Sequence, residues 1–182
     1  MLKHNLVIMF VIVVSFLTGC ASLNTPSQPH GVNHKAYNFQ LPDQNGNQVK
    51  LTEVLDNNKG AVIAFYPKDN SKNWIKEFVE FQQNINKLKS RNIKVLGLST
   101  DSSKSHRKFI SKHDLNDLTL LSDPEKRVTE IYGAGHWILP VASRVYFIVD
   151  SNREIIFKKD TGLSVMEQQT EKLLTEIDKH IL

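Results

Sequence analysis

The apolar pattern of this chain predicts an α/β domain, a mixed sheet with helices packed on both faces. Three observations point there. An unbroken apolar run, Ala61-Val62-Ile63-Ala64-Phe65-Tyr66, and a second, mostly apolar one at residues 93–98 read as buried strands, the first buried on both faces. Longer segments with apolar residues at helical spacing follow each of them, the order expected of a parallel sheet with crossover helices. Near the C-terminus, two further strand-like runs, residues 144–149 and 154–157, are joined by Asp150-Ser151-Asn152-Arg153, which reads as an antiparallel hairpin.

Taken in order, residues 37–41 and 48–51 form two short strands across a turn that carries Asn45-Gly46, a strong hairpin signal. Thr52 caps a helical turn running to Leu55. After the strand at 61–66, Pro67 ends the run and Ser71 caps a long amphipathic helix. That helix extends to about Ser90, with Ile75, Phe78, Val79, Gln82, Ile85 and Leu88 along one side. The strand at 93–98 leads to a helix opened by Ser102 or Ser103 and closed near His113. Residues 118–121 form a short strand. Asp123-Pro124 reads as N-cap and first residue of a helix through Tyr132, broken by Gly133 and Gly135. A helix over residues 166–180 closes the chain.

The chain has 182 residues, 40% hydrophobic and 23% charged, which fits one compact domain with a short appendage. Its net charge of +4 is spread among acids, with no run of like charge, so nucleic acid is not an expected partner. A single cysteine, Cys20, excludes an intramolecular disulfide. His30 and His34 have the spacing of a helical metal pair, but Pro29 and Gly31 argue against a helix there, so no metal is expected. No HExxH, Walker A, GxSxG or CxxC pattern occurs, and no cofactor is implied.

The first residues read as an address. Residues 6–17 are almost wholly apolar, too short for a membrane-spanning helix but suited to the core of a signal peptide. Leu17-Thr18-Gly19-Cys20 then resembles the lipobox of bacterial lipoproteins. That resemblance implies a signal peptide over residues 1–19, removed before Cys20, and acyl chains on Cys20 that hold the protein to a lipid bilayer. Ala21 after the cysteine, by analogy with lipoprotein sorting, favours the outer membrane, facing the periplasm. Residues 20–36, polar and containing Pro26 and Pro29, read as the lipidated cysteine and a flexible tether, and residues 37–182 as the domain.

Four segments of that domain match one family in order. Phe39-Gln40-Leu41-Pro42-Asp43-Gln44-Asn45-Gly46 is similar to the F-x-L-x-D-x-x-G opening of peroxiredoxins. Phe65-Tyr66-Pro67-Lys68-Asp69 resembles the F-Y-P-K-D strand exit of the bacterioferritin comigratory type. Leu120-Leu121-Ser122-Asp123, with Tyr132-Gly133 behind it, and Arg144 to Asp150 resemble two later motifs. The resemblance implies a thioredoxin-like, peroxiredoxin-type fold, in keeping with the βαβ then ββα order of the elements. It also implies a chemistry, in which a thiolate attacks a peroxide O–O bond, its pKa lowered by a helix N-terminus and an arginine. The family frame, Pro-x-x-x-Thr/Ser-x-x-Cys, reads here Pro67-Lys68-Asp69-Asn70-Ser71-Lys72-Asn73-Trp74. Pro67, Ser71 and Arg144 match it. Trp74 stands at the place of the attacking cysteine, and Val79 at that of a resolving cysteine.

Tryptophan has no sulfur and no group that ionises in range, so loss of peroxidase activity is expected while the fold persists. For Trp74 the alternatives are packing over the old pocket and stacking on a ligand. Ser71 is either a helix cap or a retained pocket hydroxyl. Arg144 either pairs with an acid such as Glu77 or Asp69, or binds an anion. His136 and Trp137, between helix and strand, either rim a partner surface or pack into a loop. Three functions remain in view: a non-enzymatic domain binding an envelope protein or small anionic ligand, a thiol-dependent peroxidase using Cys20, and a purely structural lipoprotein.

Overall fold

A computed structural model of the chain describes residues 31–69, 71–164 and 166–182. The expected signal peptide over residues 1–19, Cys20 and His30 lie outside these residues. The elements are β1 (Gln40–Pro42), β2 (Gln48–Lys50), α1 (Leu51–Asp56), β3 (Gly60–Phe65), α2 (Lys72–Gln83), α3 (Ile85–Ser90), β4 (Ile93–Ser99), α4 (Ser103–His113), β5 (Thr119–Ser122), α5 (Arg127–Ile131), β6 (Arg144–Asp150), β7 (Ile155–Gly162) and α6 (Gln169–His180).

A five-stranded sheet, in the order β5-β4-β3-β6-β7, forms the centre. β3, β4 and β5 run parallel, and β6 and β7 antiparallel to their neighbours. The predicted mixed α/β sheet is therefore present. Alternation along β3 divides the core. Val62 and Ala64 face a layer holding Trp74, Phe78 and Phe81 of α2, Phe109 of α4 and Leu173, Leu174 and Ile177 of α6. Ala61, Ile63 and Phe65 face a second layer with Leu51 and Leu55 of α1 and Val128 of α5. Both faces being covered is why β3 reads as an unbroken apolar run. β1 and β2 form a separate hairpin. Its turn is held by Asp43 Oδ1, which accepts from the backbone N–H of Asn45 (2.7 Å) and Asn47 (2.9 Å). Gly46 there takes φ 89°, the left-handed conformation that glycine adopts without strain.

Five local expectations are corrected. The helix expected from Ser71 to Ser90 breaks at Asn84, whose N–H and side-chain amide both bond to the Glu80 carbonyl, separating α2 from α3. The helix expected from Asp123-Pro124 starts only at Arg127. Asp123 and Lys126 close a turn first, and Asp123 Oδ2 then reaches the N–H and hydroxyl of Thr129, both at 2.8 Å. The cap assigned to Thr52 comes from Asn38, whose Oδ1 accepts from the Thr52 N–H at 3.1 Å. The closing helix begins at Gln169, after Gln168 in a left-handed conformation. Residues 33–36, assigned to the tether, instead lie against the start of β7: Ala36 N–H bonds to the Arg153 carbonyl (2.7 Å) and Ile155 N–H to that of His34 (2.9 Å). Ser102 does cap α4, accepting from the Ser105 N–H.

Candidate functional site

The site lies where β3 ends. Pro67 lacks an N–H and breaks the ladder, the chain turns through Lys68 and Asp69, and Ser71 then begins α2. Because Phe65 pairs with Val145, the first residue of β6, Arg144, sits beside this turn. The fold thus brings the sequence-predicted residues Pro67, Ser71, Trp74 and Arg144 together around one cavity of about 520 Å³.

Trp74, in the first turn of α2, is fully buried. Its ring lies 5.1 Å from that of Tyr66, 5.6 Å from Phe78 and 6.5 Å from Tyr146. The Arg144 guanidinium carbon stands 4.4 Å from the Trp74 ring centroid, a cation–π contact. The indole N–H has no acceptor among the described residues. The ring is thus packed among core aromatic side chains and against Arg144, at the wall of the cavity. Ser71 occupies the cap position with extended backbone, and its carbonyl accepts from the N–H of Trp74 (3.0 Å) and Ile75 (3.2 Å). Its hydroxyl makes no capping bond, so the side-chain cap expected of Ser71 is not formed, and the residue lines the cavity.

Arg144 is buried and ion-paired: its Nε is 3.1 Å from Glu77 Oε2, with both side chains 2% exposed, and its Nη1 donates to the Leu163 carbonyl at 2.5 Å. Glu77 also receives the Met166 N–H at Oε1 (3.3 Å), and Tyr146 Oη lies 2.8 Å from its Oε2. Burial pushes the Glu77 carboxyl above its ordinary range, more than Arg144 and Tyr146 pull it down. Gln169 Nε2 donates to the Glu77 carbonyl at 2.7 Å and ties α6 to α2. A guanidinium so engaged is a structural cation under the Trp74 ring. Of the two acids expected as partners, Glu77 is the one used.

Asp69 has a different partner. Its carboxylate oxygens lie 3.0 and 3.1 Å from His106 Nδ1, and both side chains are buried. Tyr66 donates to Asp69 Oδ1 at 2.7 Å and Ser105 to Oδ2 at 2.6 Å. His106 Nε2 faces the Leu121 carbonyl at 3.2 Å. The network pins the β3 exit to α4 and β5. Burial would raise the Asp69 carboxyl, but the hydrogen bond and charge of His106, with the bonds from Ser105 and Tyr66, outweigh it and hold it below the ordinary carboxylate range. Such a group stabilises the fold above its unfolded-state pKa, and that stabilisation is lost as pH falls through the lower folded-state value. Asp69→Asn is expected to lose about 1.5–3 kcal/mol at pH 7, as charge-assisted bonds do. Urea midpoints measured from pH 7 downward should converge with wild type in strong acid.

Residues 134–143 form a hairpin-like loop that supplies the other wall of the cavity through residues 139–141, with Leu163 beside them. Trp137, the alternative left open between rim and packing, is 88% exposed. His136 Nδ1 accepts from the N–H of Ile138 (3.2 Å) and Leu139 (3.0 Å).

The AhpC/TSA family pattern matches residues 32–158. The chain belongs to the AhpC/TSA family. Peroxiredoxin Bcp of Escherichia coli is 37% identical over 95 residues, covering 52% of this chain and 59% of the relative. Peroxiredoxin bcp1 of Schizosaccharomyces pombe is 31% identical over 139 residues, 76% of this chain and 66% of the relative. The match thus spans less than two thirds of either relative. In structure the AhpC/TSA domain resembles peroxidoxin BcpB from Mycobacterium tuberculosis, with a TM-score of 0.75 at 24% identity over 82% of this chain and 97% of that one. The fold expectation stands.

Sequence reasoning missed His106 as a site residue and named Glu77 and Asp69 only as possible partners of Arg144. The signal was present: His106 falls three and four residues before Phe109 and Ile110, on the apolar face of α4, where an unpaired imidazole would be costly to bury.

Proposed function

We propose that this chain is a lipid-anchored envelope protein whose AhpC/TSA domain has exchanged peroxide chemistry for binding at the old active-site face. One observation carries the reading: the only cysteine is Cys20, so the matched region, residues 32–158, contains no thiol. Reduction of a peroxide by this family's route needs a thiolate that becomes a sulfenic acid, and no other side chain supplies that intermediate. The place in the first turn of α2 is filled by the buried Trp74 ring, stacked on the guanidinium that would otherwise activate a thiol. Arg144, held by Glu77 and the Leu163 carbonyl, has its charge met from within. This favours an apolar or mixed partner surface over capture of a small anion.

The second reading, a thiol peroxidase, draws on the names of the relatives and requires Cys20 to reach the pocket as a free thiol. One assay separates the two. The full chain, given hydrogen peroxide with dithiothreitol or a thioredoxin system, is expected to consume peroxide no faster than its Cys20→Ser variant. A wild-type rate above that variant would restore the peroxidase reading. Intact-mass analysis of the protein taken from membranes should show acyl chains on Cys20 and no residues 1–19.

A further inference from the structure

The loop between α5 and β6 is built in a way its packing role does not require. Trp137, Ile138 and Leu139 are 88%, 65% and 47% exposed, three consecutive large apolar residues turned outward. Scattered exposed apolar side chains are ordinary, but a contiguous patch marks a contact surface. Leu163, 48% exposed, shares the neighbouring cavity with Leu139 and extends the patch.

Of the backbone donors in residues 136–141, all but the Trp137 N–H are met within the loop. Ile138 and Leu139 give their N–H groups to His136 Nδ1, and Val141 gives its own to the Leu139 carbonyl at 2.8 Å. His136 N–H bonds to the Val141 carbonyl at 2.9 Å, and Pro140 has no N–H to satisfy. A protein partner would not need this, because water and partner atoms can satisfy a loop. A low-dielectric medium does need it, since each unsatisfied backbone donor there is costly. Tryptophan at the outermost position suits the headgroup boundary, where an apolar ring with one polar edge is favoured. Residues 133–143 contain no acid, and exposed Lys68 lines the same cavity, a charge pattern complementary to anionic lipid.

We infer that the 137–139 tip enters the interfacial region of the bilayer, a second membrane contact besides Cys20, so that the old active-site mouth faces lipid. The inference rests on the lipid-anchor reading and gives the partner of that face a chemistry. The chain length allows it. The tether enters beside the start of β7, while the loop lies at the other end of the sheet. β7, eight residues long, rises about 26 Å. The stretch from Cys20 to Asn33 reaches about 45 Å when extended, enough to run the length of the domain and return Cys20 to the plane of the tip.

The test uses the chain purified from membranes and reconstituted into vesicles of phosphatidylethanolamine and phosphatidylglycerol, with plain or brominated acyl chains. The chain has two tryptophans, and Trp74 is buried, so subtracting the emission of a Trp137→Phe variant isolates Trp137. The expected result is flotation with the vesicles, blue-shifted Trp137 emission, strong quenching by brominated lipid and weak quenching by aqueous acrylamide. Flotation with acrylamide-accessible, bromine-insensitive Trp137 overturns the loop contact and leaves the anchor standing. A chain that does not float overturns both.

Discussion

Trp74→Ala is expected to lose about 3–5 kcal/mol of folding stability, the range for removing a large buried aromatic side chain. The ring is fully buried and packs on Tyr66, Phe78 and Arg144, so its removal forfeits dispersion contacts on several sides and uncovers a buried guanidinium. Two effects soften the loss. The vacated space adjoins an existing cavity that can admit water, and an indole N–H without an acceptor among the described residues is removed with the ring. Urea unfolding followed by circular dichroism should show a lower midpoint with the slope unchanged. A Trp74→Phe variant, which keeps most of the stacking, should recover most of the difference. A loss under about 1 kcal/mol would mean that the ring is an ornament and not the plug of the site.

Arg144→Ala should be comparably severe for another reason. It leaves the Glu77 carboxylate buried without its counter-charge, and breaking a buried ion pair from one side costs about 3–5 kcal/mol. Tyr146 and the Met166 N–H remain as hydrogen-bond partners, but neither carries charge. Burial already raises the Glu77 carboxyl, and removing Arg144 raises it further. The sign of the pH effect follows: an acid with a raised folded-state pKa destabilises the fold while ionised, and the cost is relieved as pH falls through that value. The deficit of Arg144→Ala relative to wild type should therefore be larger at pH 8 than at pH 5. Pairing it with Glu77→Leu should restore much of the loss, because an apolar pair removes both buried charges. Chemical denaturation of the two single variants and the double at both pH values measures the whole cycle.

How far the fold was legible follows from the same physics. The strands at β3, β4 and β6 could be read because burial on both faces makes β3 uniformly apolar and β4 and β6 mostly so. The hairpin turn could be read because Asn45-Gly46 suits its backbone. The break at Asn84 could not, since apolar spacing continues through Ile85 and Leu88 and the interruption comes from local bonds to the Glu80 carbonyl. Asp123-Pro124 carried a true helix signal at the wrong distance: Asp123 does cap, but over Thr129. Within the site, the positions of Pro67, Ser71, Trp74 and Arg144 were legible from spacing. That Arg144 pairs with Glu77 and Asp69 with His106 was not, because it depends on which face of α2 and α4 meets the sheet. The exposure of Trp137 was likewise beyond the pattern, as an isolated loop residue has no periodicity to read.

Peroxide consumption by the Cys20→Ser chain with and without Trp74→Cys tests the central claim most directly, because the added thiol at position 74 is then the only one in the protein. The parent should be indistinguishable from the thiol-donor blank, and the variant should turn over peroxide, showing that the frame of Pro67, Ser71 and Arg144 survives and only the nucleophile is missing. Consumption by the parent itself would contradict the account, since a chain without cysteine would then be doing the chemistry.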